Sequence, residues 1–301
     1  MRRRNLLKSF AVGATTSALM GADAVKSKAG VSKAKNGEFI EARDGTALFY
    51  RDWGAGKPMV FVAPWAMNSK WWEIQMFRLT EEGIRCVAFD RRGHGRSGQP
   101  DRGYDFDTLA DDLTAVMEKL DLHDVTLVGH SLGCGEVVHY LSRHGARRVA
   151  RAVLIGTITP GDNPPDKSRF EKRRALLITD PFGVIANAAG EFFGAAKNPV
   201  SEETLRWWTR MMTDECNLKV MLDLLRVFTT TDFRPQLSSI RVPTLLIHGD
   251  IDTSALIEVT AKRTVPLIQG SRLNIYENAA HGLPFTHAER LIGDLLAFAN
   301  G

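Results

Sequence analysis

Serine, aspartate and histidine occur in this chain in an arrangement that could activate an alcohol as a nucleophile. Ser131 lies at the centre of a Gly-x-Ser-x-Gly motif bounded by Gly129 and Gly133. The apolar run 125–128 precedes the motif, and a helical pattern over 135–143 follows it. A serine on such a sharp strand-to-helix turn has a strained backbone and an exposed hydroxyl. We therefore expect Ser131 to be a catalytic serine rather than a residue of a surface turn.

A serine hydroxyl needs a neighbouring base, and the base needs a carboxylate that fixes its tautomer. Of the eight histidines, His281 is the best candidate, because it follows the last predicted strand and precedes the last predicted helix. Asp252 lies in the loop after the seventh predicted strand. Asp250, at the end of that strand, remains the alternative acid. The order serine, aspartate, histidine is one of those known for such triads.

Other titratable residues near these motifs have structural explanations. His248 lies inside an apolar run and is expected to pack or to bond internally. His94 and His130 belong to turns close to the site. Asp90 stands at a strand end before two glycines and is expected to organise a tight loop beside the site, without direct catalysis.

Short apolar runs alternate with amphipathic segments, which is typical of a mostly parallel sheet covered by helices on both faces. The predicted fold class is α/β, with the first two strands antiparallel. Its eight strands are predicted at 39–42, 47–52, 59–63, 85–90, 125–129, 152–155, 244–248 and 272–276. Its helices are predicted at 71–82, 108–120, 135–143, 256–267 and 286–298.

The alternation stops between about residues 160 and 237, where aromatic-rich helical stretches replace it. Inserted after the sixth strand, this segment is predicted to form a helical cap above Ser131. Trp207 and Phe193 are the predicted pocket residues of the cap. Adjacent residues cannot face the same side of a helix, so at most one of Trp207 and Trp208 is expected to line the pocket.

From about residue 38 onward the chain resembles the α/β-hydrolase superfamily, in the branch of bacterial arylesterases and cofactor-free haloperoxidases. The resemblance rests on the serine motif and on the stretches 89–97, 230–235, 246–252 and 280–282. It implies the α/β-hydrolase fold, a Ser-His-Asp triad and no cofactor or metal.

An oxyanion needs hydrogen-bond donors, and the backbone N–H of Leu132, directly after the nucleophile, is expected to be one. The same resemblance implies that the backbone N–H of Trp65, in the loop after the third strand, is the second. The family usually has His-Gly where this chain has Ala63 and Pro64. Some perhydrolytic relatives place a proline directly after the oxyanion residue. Ala66 at that place disfavours peracid synthesis.

The N-terminus is typical of a twin-arginine export signal. Arg3 and Arg4 precede Asn-Leu-Leu-Lys, a mildly apolar stretch follows, and Ala22-Asp-Ala24 offers a cleavage site. Residues 1–24 are predicted to be the signal, 25–36 a flexible leader and 37–301 the hydrolase domain. This implies the twin-arginine machinery as a partner and a periplasmic or secreted enzyme. A frayed basic start on a cytoplasmic protein is the alternative.

Composition limits the remaining partners. Removal of the signal lowers the net charge from +4 to +1, which favours neither nucleic acid nor an acidic membrane. The mature form is expected to have no membrane anchor, and nothing in the sequence specifies an oligomeric state. The three cysteines have no metal-type spacing and are expected to be free, packed thiols.

These observations together predict a serine hydrolase whose substrate is a small carboxylic ester. A lactonase or a haloperoxidase-type perhydrolase on the same triad is the alternative. A non-catalytic ligand-binding relative is a third, from a different class.

Overall fold

The computed structural model describes residues 39–161 and 167–301. The predicted signal at 1–24 and the leader at 25–36 lie outside the described residues. Within the described part, no helix has the length and apolar character needed to cross a bilayer.

One eight-stranded sheet forms the centre of the fold, in the strand order β1-β2-β4-β3-β5-β6-β7-β8. Strand β1 pairs antiparallel with β2, and β2 with β4, whereas the later pairs are parallel. The predicted α/β sheet is therefore confirmed. The strands are β1 Phe39–Glu41, β2 Ala47–Trp53, β3 Lys57–Val62, β4 Ile84–Phe89, β5 Val125–His130, β6 Val149–Ile155, β7 Thr244–Gly249 and β8 Arg272–Tyr276.

Helices flank this sheet, and five of them follow one another between β6 and β7. Those five, α4 to α8, correspond to the segment predicted as a cap. The helices are α1 Glu73–Glu81, α2 Phe106–Lys119, α3 Leu132–His144, α4 Lys167–Thr179, α5 Pro181–Phe193, α6 Glu202–Asp214, α7 Leu218–Thr230, α8 Arg234–Leu237, α9 Ala261–Thr264, α10 Leu283–Thr286 and α11 Ala288–Asn300.

Two predicted helices differ from the structure in ways that matter here. Helix α3 begins directly after Ser131, because tertiary contacts offset the weak helix propensity of its early glycines. The predicted helix at 256–267 is wrong over much of its length. Only α9 and a short 3-10 turn form there, and Pro266 removes a donor from that turn.

The sheet explains why distant residues meet. Ser131 follows β5, Asp252 follows β7 and His281 follows β8. These three strands run parallel, and the carboxyl ends of parallel strands lie at one edge of a sheet. The loops that carry the three side chains therefore converge.

Candidate active site

Ser131 has the strained backbone expected of a nucleophile elbow. Its φ of 54° and ψ of −116° lie where L-residues are rare. Its backbone N–H donates to the carbonyl of Ile155 at 2.9 Å, which fixes the turn against β6. A Cβ on Gly133 would come 2.5 Å from the carbonyl oxygen of Val62, so only glycine allows this close approach. The cost of the strain is thus offset by contacts with two neighbouring strands.

Asp252 and His281 form a short, buried polar contact. His281 Nδ1 lies 2.6 Å from Asp252 Oδ2, and both side chains are buried. The other oxygen, Oδ1, accepts the backbone N–H groups of Ser254 and Ala255, each at 2.9 Å. Burial by itself would raise the pKa of Asp252, but the charge of His281 and the hydrogen bond lower it. Asp252 is therefore placed to keep a proton on Nδ1 and to leave Nε2 as an acceptor.

Aromatic rings hold the His281 imidazole in place. The ring centroid of His281 lies 4.9 Å from that of His130 and 5.3 Å from that of Phe192. Burial, together with the charge of His281, keeps the pKa of His130 well below its usual range. His130 is therefore neutral.

The predicted oxyanion donors lie on two segments that touch. Leu132 is the first residue of α3, and the Gly133 contact joins that helix to the end of β3, just before Trp65. Within the described residues, the backbone N–H groups of Trp65 and Leu132 donate to no protein acceptor. The indole Nε1 of Trp65 donates to the carbonyl of Met221 on α7 at 3.0 Å, which ties the loop to the cap. Two unpaired donors are thus available for an oxyanion.

Arg91 braces this oxyanion loop, a role that sequence reasoning did not assign. Its guanidinium donates to the carbonyl of Ala63 at 2.6 Å and of Pro64 at 3.3 Å. It also binds Glu136 on α3, with Nε to Oε1 at 2.6 Å. Burial raises the pKa of Glu136 to about 7, against the opposing effect of the Arg91 charge. One buried ion pair therefore connects the loop of Trp65 to the helix of Leu132.

Asp90 organises the neighbouring turn through hydrogen bonds to Ser69 and Arg96. Its Oδ1 accepts the backbone N–H of Ser69 at 2.9 Å and the Ser69 hydroxyl at 2.6 Å. Its Oδ2 accepts the backbone N–H of Arg96 at 2.9 Å. These contacts match the structural role that the sequence predicts for Asp90.

The other aspartate and histidine considered for the triad lie in different environments from Asp252 and His281. The Asp250 side chain is exposed, whereas Asp252 is buried against His281. His248 Nε2 lies 2.6 Å from the carbonyl of Ala255 and 3.4 Å from Asp252 Oδ2. His248 therefore makes an internal hydrogen bond, as predicted, and also lies next to the Asp252 carboxylate.

Ser131 and His281 line one cavity of about 320 Å³, named here the catalytic cavity. Phe192 and Trp208 line it, but Phe193 and Trp207 do not, so the two predicted pocket residues are wrong by one position each. Successive helical side chains diverge by about 100°, and both side chains instead pack near Trp71 and Phe285. The structure agrees with the prediction that at most one of the two adjacent tryptophans lines the pocket.

Comparison with known proteins agrees with this geometry. The family model described as alpha/beta hydrolase fold matches residues 57–288. A non-heme haloperoxidase from Rhodococcus erythropolis is 39% identical over 271 residues, covering 86% of this chain and 98% of the relative. The chain belongs to the α/β-hydrolase family. A bifunctional esterase/perhydrolase from Acinetobacter calcoaceticus is 37% identical to this α/β-hydrolase, with coverage of 86% and 98%. The solved structure of an esterase from Exiguobacterium antarcticum superposes with a TM-score of 0.83 at 30% identity, covering 88% of this chain and 100% of the other.

The geometry of this α/β-hydrolase defines what its site can do. It offers a strained serine, a histidine oriented by a buried carboxylate, and two free backbone donors. Among the described residues, no cluster of His, Cys, Asp or Glu is arranged to hold a metal ion. The arrangement suits nucleophilic attack on a carbonyl carbon followed by stabilisation of the oxyanion.

Proposed function

We propose that this enzyme hydrolyses carboxylic esters through an acyl-enzyme on Ser131. His281 takes the hydroxyl proton as Oγ attacks the ester carbonyl, and the N–H groups of Trp65 and Leu132 stabilise the oxyanion. His281 then gives that proton to the departing alcohol. A water molecule attacks the acyl carbon with His281 again as base, which releases the acid and restores Ser131.

One observation carries the proposal: the buried 2.6 Å contact between His281 Nδ1 and Asp252 Oδ2, beside a serine that shares the catalytic cavity. A histidine that only filled space would not need a buried carboxylate with two further backbone donors. Relatives named as esterases support the same reaction. Lactones are cyclic esters, so they are substrates of the same chemistry.

Steady-state kinetics on aryl acetates tests the proposal. We expect Ser131→Ala to lower kcat by about 10⁴-fold or more, because members of a triad act as a unit. Ser142→Ala, at an exposed serine on helix α3 that follows Ser131, is the matched control and should retain full activity. Near-normal turnover in a folded Ser131→Ala variant would contradict the proposed nucleophile.

Perhydrolysis is the second candidate, since the relatives include an esterase/perhydrolase. Ala66 has a φ of 57°, whereas proline is locked near about −65°. The loop therefore has a conformation that a proline at this position cannot adopt. We expect hydrolysis to dominate peracid formation when acetate esters and hydrogen peroxide compete, as measured by product analysis.

We further propose that a twin-arginine signal exports this enzyme to the periplasm or beyond. The support is the order of Arg3 and Arg4 before a mildly apolar stretch. Replacing Arg3 and Arg4 together by lysine should leave an active precursor in the cytoplasm, while Arg2→Lys alone should be tolerated. Unchanged export of the double variant in fractionated cells would argue for cytoplasmic residence.

A further inference from the structure

A second cavity lies beside the catalytic one. Its volume is about 570 Å³, and it shares Ile158, Arg173, Phe228 and Ser254 with the catalytic cavity. It is named here the arginine cavity. Because four residues border both spaces, the two cavities adjoin each other.

Three arginines line this second space. Arg169 and Arg173 lie four residues apart on α4, and Arg263 lies on α9. Residues at this spacing share one helix face, where like charges destabilise the helix. No acidic side chain of the described residues lines either cavity. The charges of Arg173 and Arg263 therefore favour an anion in the space that they border.

The neighbouring helix residue provides a contrast. Arg174, which follows Arg173, lies 4.0 Å from Glu171 and borders a different cavity. Within the described part of the chain, Arg173 and Arg263 form no such ion pair. On α4, it is therefore Arg173 whose charge has no acidic partner among the described residues.

The two cavities differ in chemistry. The wall of the catalytic cavity is largely apolar, with Leu177, Ile185, Trp208 and Met212. The arginine cavity has the shared Arg173 and Ser254 together with Arg169, Arg263 and the hydroxyl side chain of Thr253. An occupant of both spaces would combine an apolar middle with an anionic end. Guanidinium groups bind carboxylates through paired, charge-assisted hydrogen bonds.

We infer that the preferred substrates are esters that carry a carboxylate, which Arg173 and Arg263 bind while the ester carbonyl lies at Ser131. The inference rests on the proposed ester hydrolysis and adds a substrate class to it. The carboxylate is not a reacting group, so its binding contributes position and affinity rather than chemistry.

Matched substrate pairs test this preference. On the alcohol side, 4-acetoxybenzoate is compared with its neutral amide, 4-acetoxybenzamide. On the acyl side, the mono-4-nitrophenyl ester of glutaric acid is compared with 4-nitrophenyl pentanoate. For each pair, the ratio of kcat/KM for the anionic ester to that for the neutral one is measured in wild type and variants.

Arg173→Gln and Arg263→Gln should each lower this ratio by about ten-fold in at least one pair, the size expected for losing a charge-assisted hydrogen bond. Arg173→Lys should restore part of the ratio, because it keeps the charge but not the planar fork. Added salt should lower the wild-type ratio, since screening weakens an exposed ion pair. Arg174→Gln, the matched control, should leave the ratio unchanged.

The outcomes separate this inference from the function on which it rests. Hydrolysis of neutral esters with ratios that neither Arg173→Gln nor Arg263→Gln alters would overturn the carboxylate preference and leave the esterase proposal standing. An equal decrease of the kcat/KM ratio in Arg174→Gln would also overturn the carboxylate preference, because a general effect of charge would then explain the result. If no member of either pair is hydrolysed by the wild type, the proposed function itself fails.

Discussion

Replacement of Asp252 by asparagine probes the triad with little change in shape. In the native site, Oδ1 accepts two backbone N–H groups and Oδ2 faces His281 Nδ1 at 2.6 Å. An asparagine has one oxygen and one NH₂ group for these two positions. If its oxygen keeps the backbone donors of Ser254 and Ala255, its NH₂ must face Nδ1.

The energies favour that orientation. The flipped amide would direct its NH₂ at the two backbone donors and leave both without an acceptor, at about 1–3 kcal/mol each. With NH₂ facing Nδ1, that nitrogen must act as the acceptor and the proton moves to Nε2. A protonated Nε2 cannot take the proton of Ser131. We therefore expect kcat to fall by about 10⁴-fold, or about 5.5 kcal/mol in the barrier.

The assay is steady-state hydrolysis of an aryl acetate, combined with thermal unfolding to confirm that the variant is folded. Asp250→Asn is the matched control, because Asp250 lies two residues away with an exposed side chain. A surface substitution of this kind changes stability by about 0.5 kcal/mol or less. Its kcat should match that of the wild type.

Two results would refute this reasoning. A folded Asp252→Asn variant with more than about a tenth of the wild-type kcat would show that the carboxylate does not set the tautomer. A large loss in Asp250→Asn with full activity in Asp252→Asn would reverse the assignment of the acid.

Three further changes probe the oxyanion loop and a separate ion pair. Arg91→Met combined with Glu136→Leu removes the ion pair that supports the oxyanion loop without leaving a buried charge. We expect kcat to fall by about 10²-fold while the free energy of unfolding in urea stays near normal. Full activity would contradict the proposed role of this ion pair. Ala66→Pro imposes a negative φ on the loop and should lower hydrolytic kcat by about ten-fold or more; an unchanged kcat would argue against the observed loop path. The hydrogen bond and charge of Arg92 hold the pKa of Asp44 below its usual range. The contribution of this pair to the free energy of unfolding is therefore fully present above about pH 4 and is lost as the pH falls further. Acid should lower the free energy of unfolding, measured with urea, less in Asp44→Asn than in the wild type, by up to about 1 kcal/mol because the carboxylate is half exposed. Identical pH dependence in the two proteins would contradict this.

The sequence predicts the sheet and the converging loops well, because local patterns specify both. Alternating apolar runs mark the strands, and the glycines at 129 and 133 mark a turn that few other residues allow. Chain order then predicts which loops carry Asp252 and His281, since successive parallel strands end at one edge.

What escapes sequence reasoning depends on contacts between distant segments. Arg91 and Glu136 are 45 residues apart, and no local pattern indicates that they meet beneath the oxyanion loop. The choice between Phe192 and Phe193 depends on the rotation of α5 against the sheet, which the sequence of the helix alone does not specify. The segment at 256–267 resembles a helix by its apolar spacing, but only four of its residues form α9.

Direct detection of the acyl-enzyme tests the central claim most sharply. The enzyme is mixed with an activated ester, quenched in acid within the burst phase, and examined by intact mass and peptide mapping. We expect one acyl group per chain, attached to Ser131, and no adduct in Ser131→Ala. Hydrolysis that proceeds without any adduct, or with the acyl group on another residue such as Cys134, would contradict the account.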